Sequence, residues 1–262
     1  MSNPRPLARG NSRVKEARKL ISRRSERSER RLFLADGPKA VEGALGAGVV
    51  VELFATPAAA EQYADVVAAF PVTLVDDSAM ESLSDSVSPA GVVAVCRFLD
   101  DEPVLDPRTA PLIAICADVR DPGNAGTVIR CADAAGASGV VLAGNSVDPY
   151  NPKAVRASVG SLFHLPIGQE RDAATAVQRA RTAGYTVLAA DGGGDVDLYD
   201  ADELLARPTA WLFGNEAWGL PPELRALADH VVSIPIFGRA ESLNLSTAAA
   251  LCLYASARVQ RG

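Results

Sequence analysis

Histidine is nearly absent from this chain. His164 and His230 are the only two among 262 residues, and no His-rich metal spacing exists. Cysteine is sparse too: Cys96, Cys116, Cys131 and Cys252 are widely scattered and none forms a C-x-x-C pair. Zinc sites and disulfide frameworks need clustered or patterned cysteines, so both are disfavoured and no metal is expected. Cys116 ends an apolar strand signal and Cys252 lies in a helix-like apolar run, positions where cysteine serves as a small buried hydrophobe. No apolar run approaches the length needed to span a bilayer. The N-terminal residues have Arg and Pro but no apolar h-region, so neither a secretory signal nor a membrane partner is expected, and the cytoplasm is the default location. A further absence concerns nucleotides: no G-x-G-x-x-G follows any strand signal, which disfavours a Rossmann dinucleotide site.

What is present is a globular composition with 48% hydrophobic and 22% charged residues, enough for one large domain or two ordinary ones. The net charge of −6 conceals an asymmetry. Residues 1–31 hold eleven Lys or Arg against Glu16, Glu26 and Glu29, a local +8, and the remainder carries −14. An acidic protein with one concentrated basic segment points to a localised polyanion contact. The alternative for that segment is a solvated basic helix that aids solubility.

Asn11 or Ser12 can cap a helix over roughly 13–24, where Val14, Ala17, Leu20 and Ile21 recur at helical spacing and leave a basic outer face. Strand signals follow at 31–35, 49–55, 72–75 and 91–98, separated by helix-like segments at 38–47, 57–69 and 77–84. This alternation predicts a small α/β domain over 1–98. Residues 99–110 are acidic and Pro-containing and read as a linker. A second domain is expected over 111–262, with strands near 111–117, 139–142, 185–190, 209–214 and 230–236 and helices near 124–136, 151–159, 170–183, 221–227 and 245–258. All-apolar strands alternating with helices predict a largely parallel sheet covered on both faces. The Gly192-Gly193-Gly194 run reads as a flexible turn.

Three polar loops follow apolar strands in this second half. Asp121-Pro122-Gly123-Asn124 leads into a helix bearing Arg130, so that a helix N-terminus, an Asn and an Arg sit where an anion or oxygen-rich ligand can be held. Alone, this segment is better explained as a helix cap and a surface arginine. Gly214-Asn215-Glu216 follows Leu212 and Phe213, with Gly219 and Pro221-Pro222 beyond; alone, Glu216 is equally a surface charge beside a turn. The third loop runs from Ile234-Pro235-Ile236 to Ser242-Leu243-Asn244, ahead of a helix start with the capping hydroxyls Ser246 and Thr247. Capping accounts for one or two of these polar residues and leaves the rest unexplained.

In this order and spacing, the three loops resemble the signature motifs of the SpoU/TrmH branch of the SPOUT RNA methyltransferases, over about 111–254. The resemblance implies a C-terminal SPOUT α/β domain with a trefoil knot, a homodimer formed through that domain, and S-adenosyl-L-methionine as cofactor. Asn124 and Arg130 match the first motif, Glu216 the second, and Ser242 and Asn244 the third; these five are the implied catalytic set. Family cofactor contacts fall on Gly214, Ile234 and Leu243, with Leu212, Phe213, Ile236 and Asn244 near them, and Gly214 is expected to let the backbone approach the adenosyl group. Ala217 stands where a second Gly is common, and Ile236 and Leu245 replace other apolar residues, departures that touch pocket shape and leave the polar set intact. The α/β order of the first domain and its closing Ser88-Pro89-Ala90-Gly91-Val92-Val93-Ala94 resemble the ribosomal-protein-like RNA-binding domain found before many such catalytic domains, although Gln is commoner than Ala90 before that Gly.

The implied activity is ribose 2′-O-methylation of RNA, with rRNA as the expected partner and Arg13, Lys15, Arg18, Lys19, Arg23 and Arg24 as phosphate contacts. A guanidinium stays charged near neutrality, so Arg130 is read as an electrostatic stabiliser of the developing alkoxide. Methylation of tRNA, or a noncatalytic RNA-binding role on the same fold, are the alternatives.

Overall fold

The computed structural model describes residues 5–99 and 102–262. Residues 100 and 101 of the expected linker, and residues 1–4, lie outside the described residues. The chain divides into two compact units, Met1–Asp100 with Tyr150–His164, and Asp101–Pro149 with Leu165–Gly262.

The first unit contains α1 (Ser12–Ser22), α2 (Arg24–Arg30), β1 (Leu32–Asp36), α3 (Pro38–Gly46), β2 (Val50–Ala55), α4 (Pro57–Gln62), α5 (Ala64–Val67), β3 (Val72–Leu74), α6 (Asp77–Leu83) and β4 (Val92–Arg97). Its sheet has the order β1-β4-β2-β3, antiparallel at β1/β4 and β4/β2 and parallel at β2/β3. Asn11 caps α1 by accepting from the Arg13 N–H, and the stripe Val14, Ala17 and Leu20 joins Leu34, Phe54, Val93 and Val95 in the core. The sequence reading missed α2. Its seven residues, RSERSER, contain no apolar side chain, and the buried residue is Arg27, whose guanidinium donates to the carbonyls of Leu20 and Ile21.

The segment Tyr150–His164 belongs to this unit although it lies within the second half of the sequence. The Tyr150 ring stacks on Phe98 at 3.9 Å and meets Phe33 at 4.6 Å. Its hydroxyl accepts from the Leu99 N–H and donates to the Leu99 carbonyl. Within the same segment α8 (Pro152–Ser158) contributes Arg156, which pairs with Asp85 and approaches Asp36. Gly43 lies so close to Phe163 that a Cβ there would sit 2.8 Å from the ring.

The second unit contains β5 (Leu112–Ala117), α7 (Pro122–Ala134), β6 (Val140–Ala143), β7 (Ile167–Glu170), α9 (Ala173–Ala183), β8 (Thr186–Ala190), β9 (Val196–Asp197), α10 (Asp202–Leu205), β10 (Thr209–Phe213), α11 (Pro222–Arg225), β11 (His230–Ser233) and α12 (Leu245–Arg261). Its seven strands form a parallel sheet of order β7-β6-β5-β10-β8-β11-β9. The expected parallel α/β sheet is therefore present. Sequence reading missed the two edge strands, β7 and β9, because β7 reads Ile-Gly-Gln-Glu and β9 has two residues, too short for a periodic signal. A strand expected to reach residue 236 stops at Ser233, and Ile234 to Ile236 enter a loop.

Trp211 on β10 is fully buried and its Nε1 donates to Ser256 Oγ at 2.9 Å, which ties α12 to the sheet. Cys96, Cys116 and Cys252 are buried, and burial pushes the Cys116 thiol up to about 12, with the Glu216 charge adding to the shift. Such thiols pack as hydrophobes and are poor nucleophiles. Among the described residues no helix is long and apolar enough to cross a membrane.

Candidate active site

The chain runs from β5 outward to β6 and β7, then returns to build β8, β10 and β11 on the other side of β5. The carboxyl ends of β5 and β10 are therefore the switch point, the place where open parallel sheets bind ligands. The three polar loops meet there. Asp118 leaves β5 with φ +55°, a left-handed conformation that Asp tolerates better than most residues. Its carboxylate accepts from the Asn145 N–H at 2.7 Å, and its carbonyl accepts from Asn215 Nδ2 at 2.6 Å. Asp121 then caps α7 by accepting from the Asn124 N–H, with Pro122 at the start of the helix.

Glu216 holds the first and second loops together. Its carboxylate accepts from the backbone N–H groups of Arg120 and Asp121, at 3.2 and 3.0 Å, and from Asn124 Nδ2 at 3.2 Å. Asn124 Oδ1 in turn accepts from Asn244 Nδ2 at 3.1 Å, which joins the third loop. Asn244, not a hydroxyl, caps α12: its Oδ1 accepts from the Ser246 N–H and from Ser246 Oγ. Asn124, Glu216 and Asn244, separated by up to 120 residues in sequence, thus form one hydrogen-bonded chain.

The remaining members of the expected set stand apart from that chain. Ser242 is exposed, makes no hydrogen bond among the described residues and lines a cavity beside the chain. Arg130 lies on α7, exposed, and its side chain makes no hydrogen bond or ion pair among the described residues. Six residues beyond Asn124, it is rotated by roughly 120° around the helix.

The cavity measures about 290 Å³. Phe213, Ile234, Ile236, Leu243 and Leu245 supply apolar wall, and Asp191, Glu216 and Glu241 bring carboxylates. Of the positions named as cofactor contacts, Phe213, Gly214, Ile234, Ile236 and Leu243 line the cavity, whereas Leu212 is packed in the sheet core and Asn244 is not among the lining residues. The sequence reading missed the contribution of Ala190, Asp191 and Gly192 at the end of β8, whose visible signal was a strand running into glycines. Gly194 in that run is no loose turn: a Cβ there would come within 2.7 Å of the Val231 carbonyl.

Gly214 also has a steric requirement inside its own loop. A Cβ at this position would lie 2.4 Å from the Gly219 carbonyl carbon, so the missing side chain serves the loop's own closure before it serves any ligand. That loop is pinned by reciprocal backbone bonds between Asn215 and Gly219, and by the Ala217 N–H donating to Asn215 Oδ1. The third loop behaves differently. From residue 234 to 243 no backbone or side-chain group makes a hydrogen bond among the described residues.

The expected RNA contacts lie on the first unit and differ among themselves. Arg13 pairs with Glu52 at 2.5 Å and donates to Thr73 Oγ1. Lys19 pairs with Glu16 at 2.7 Å, and Arg23 approaches Glu26 at 3.9 Å. Lys15, Arg18 and Arg24 have no ion pair among the described residues, and Lys15 and Arg24 are exposed.

Comparison with known proteins agrees with this geometry. Residues 111–254 match the SpoU rRNA Methylase family, and residues 11–94 match the MRM3-like substrate binding domain. The chain is 33% identical to the 23S rRNA (uridine(2479)-2'-O)-methyltransferase of Streptomyces viridochromogenes, over 97% of this chain and 92% of that protein. It is 30% identical to the 23S rRNA (guanosine(2553)-2'-O)-methyltransferase RlmP of Bacillus subtilis (strain 168), over 93% and 95% of the two chains. Among solved structures, the SpoU methyltransferase AviRb from Streptomyces viridochromogenes in complex with the cofactor AdoMet superposes with a TM-score of 0.83 at 32% identity, covering 95% of this chain and 97% of that one. With a matched segment that contains all three converging loops, and relatives aligned along nearly the whole length, this chain belongs to the SpoU rRNA methylase family.

Proposed function

We propose that this protein is an S-adenosylmethionine-dependent RNA ribose 2′-O-methyltransferase acting on 23S rRNA. The observation that carries the reading is the hydrogen-bonded chain Glu216–Asn124–Asn244 beside a cavity suited to the cofactor. An adenosyl group needs apolar wall together with free peptide N–H and C=O groups, and the 234–243 loop supplies both. Lining carboxylates favour a cationic sulfonium. Bound there, the cofactor supplies an electrophilic methyl group.

The chain's own residues must then hold the ribose hydroxyl in line and manage its proton. Glu216 acts as a positioning residue: its carboxylate oxygens are already engaged by two backbone N–H groups and Asn124, so it fixes loops rather than taking a proton. Asn124 and Asn244 extend that positioning role, because their amide groups are engaged by Glu216, by each other and by Ser246. Arg130, whose exposed side chain has no ion pair among the described residues, would stabilise the negative charge that develops on the ribose oxygen as its proton passes to an RNA phosphate. Alignment of the two reactants supplies several kcal/mol by making their encounter effectively intramolecular.

The first unit serves as the RNA-recognition domain, supported by its match to a substrate binding domain and by its basic α1. The two curated relatives act on a uridine and a guanosine, so the shared motifs recognise the ribose and leave base choice to other residues. We also infer a trefoil knot in the C-terminal chain and a homodimer through the second unit. Exposed Thr247, Leu251, Tyr254 and Arg258 form one stripe along α12, the kind of face a second copy covers. A ribosomal substrate sets this work in the cytoplasm.

The decisive experiment maps ribose methylation of ribosomal RNA in cells with and without the protein. Loss of one 2′-O-methyl mark supports the reading, and an unchanged map overturns it. In parallel, Arg130→Ala is expected to slow single-turnover transfer at least a hundredfold while S-adenosylhomocysteine affinity stays the same. Near-normal transfer removes Arg130 from the mechanism.

A further inference from the structure

Trp218 stands out on the surface of the second unit. It is 54% exposed, although a tryptophan left in water forgoes a large apolar burial. The chain has only two tryptophans, and the other, Trp211, is fully buried. Trp218 is not on a loose segment. Its loop is closed by the Asn215 N–H donating to the Gly219 carbonyl at 3.0 Å and the Gly219 N–H returning to the Asn215 carbonyl at 2.9 Å. Gly219, at φ +69°, permits that closure, and Asn215 Nδ2 anchors the loop to the Asp118 carbonyl.

The Arg120 guanidinium lies 5.1 Å from the centre of the Trp218 ring, a cation–π contact on one face. The backbone of Arg120 is held beside this loop, because its N–H donates to Glu216. The result is a cationic, aromatic platform on a closed loop, two residues from Glu216.

Resting on the methyltransferase reading, we propose that Trp218, backed by Arg120, is the stacking platform for the unpaired base of the target nucleotide. Base and reacting hydroxyl hang on adjacent ribose carbons, so a group that grips the base must lie beside the site where the hydroxyl reacts. An aromatic face accepts any base, because every base has a π-face. That tolerance matches a family whose members modify different bases. Arg120 adds attraction for the flanking phosphates. The platform orients the nucleotide and takes no part in proton or methyl transfer.

Fluorescence of Trp218 provides the test, using the full-length protein, a short oligouridylate strand and the same strand with abasic sites. Oligouridylate is expected to quench the red-shifted emission of the wild type, and the abasic strand to quench it far less. Trp218→Phe should lose the quenching and keep affinity within about threefold, whereas Trp218→Leu should weaken binding about tenfold to a hundredfold, the range for losing one base stack. On methylatable ribosomal RNA the Leu variant should raise KM by a similar factor, with S-adenosylhomocysteine affinity unchanged in both variants.

Absence of quenching, equal quenching by the abasic strand, or wild-type affinity in Trp218→Leu overturns the proposal. So does an emission that shifts with protein concentration instead of RNA, since Trp218 would then be covered by a second copy. If quenching behaves as expected but the wild type transfers no methyl group, the enzymatic reading falls and the stacking platform stands.

Discussion

Glu216 and Asn244 each carry two duties, one local and one long-range. Glu216 closes the start of α7 onto the loop after β10, and Asn244 caps α12 while reaching Asn124. A capping role and a site role are therefore not competing explanations for the same residue. Gly214 teaches the opposite lesson, because its requirement is steric and internal. Gly214→Ala is expected to destabilise the protein by roughly 1–3 kcal/mol, since the new methyl group meets backbone that cannot move without opening the Asn215–Gly219 closure. Urea unfolding checks this, and wild-type stability would contradict the contact. A cleaner probe of the cofactor pocket is Leu243→Ala, because Leu243 lines the cavity from a loop without hydrogen bonds. Calorimetry should show weaker S-adenosylhomocysteine binding with the unfolding curve little changed.

At the level of elements, α1 shows how a basic helix divides its charges between folding and contact. Val14, Ala17 and Leu20 bury the inner face. Glu52 Oε1 is buried and has no aligned hydrogen bond, so the guanidinium of Arg13 is the partner that offsets its charge. Arg13→Gln is expected to cost about 1 kcal/mol, discounted because Arg13 is half exposed. Changing Lys15, Arg18 and Arg24 together to Gln should leave stability nearly unchanged. The same change should reduce the slope of log affinity for RNA against log salt by roughly 2–3, as three phosphate contacts and their counterions are lost. RNA titrations across a salt series, with S-adenosylhomocysteine affinity as control, decide this. Coincident slopes would leave α1 as a solvated helix and send the search for the RNA surface elsewhere.

For the whole molecule, the exposed stripe of α12 bears on assembly. Its opposite face is committed inward, with Ala249, Cys252, Leu253 and Ser256 buried and Ser256 bonded to Trp211. Leu251 and Tyr254, 36% and 53% exposed, are the residues the proposed second copy would cover. Light scattering should give about twice the chain mass of 27.3 kDa for the wild type. The double change Leu251→Glu and Tyr254→Glu should give a monomer that keeps its fold by circular dichroism. A monomeric wild type would remove the homodimer.

Amino-acid order alone determined the alternation of strands and helices, the buried stripe of α1, the burial of Cys116 and Cys252, and the three polar loops with their family signature. These are local properties, carried by apolar periodicity and by turn and cap residues within a few positions of one another. Elements without such a signal escaped, notably the all-polar α2 built around Arg27 and the short edge strands β7 and β9. Only the tertiary structure decided that Tyr150–His164 belongs with the first unit, because the rings of Phe33 and Phe98, far away in sequence, pack on Tyr150 and Phe33 also stacks on Phe163. Only the tertiary structure decided that Asn124, Glu216 and Asn244 bond in one chain, that Arg130 stands outside it, and that Gly214 yields to Gly219. Such contacts depend on how a parallel sheet orders its strands, and strand order is fixed by burial summed over the whole fold, which no short window of sequence contains.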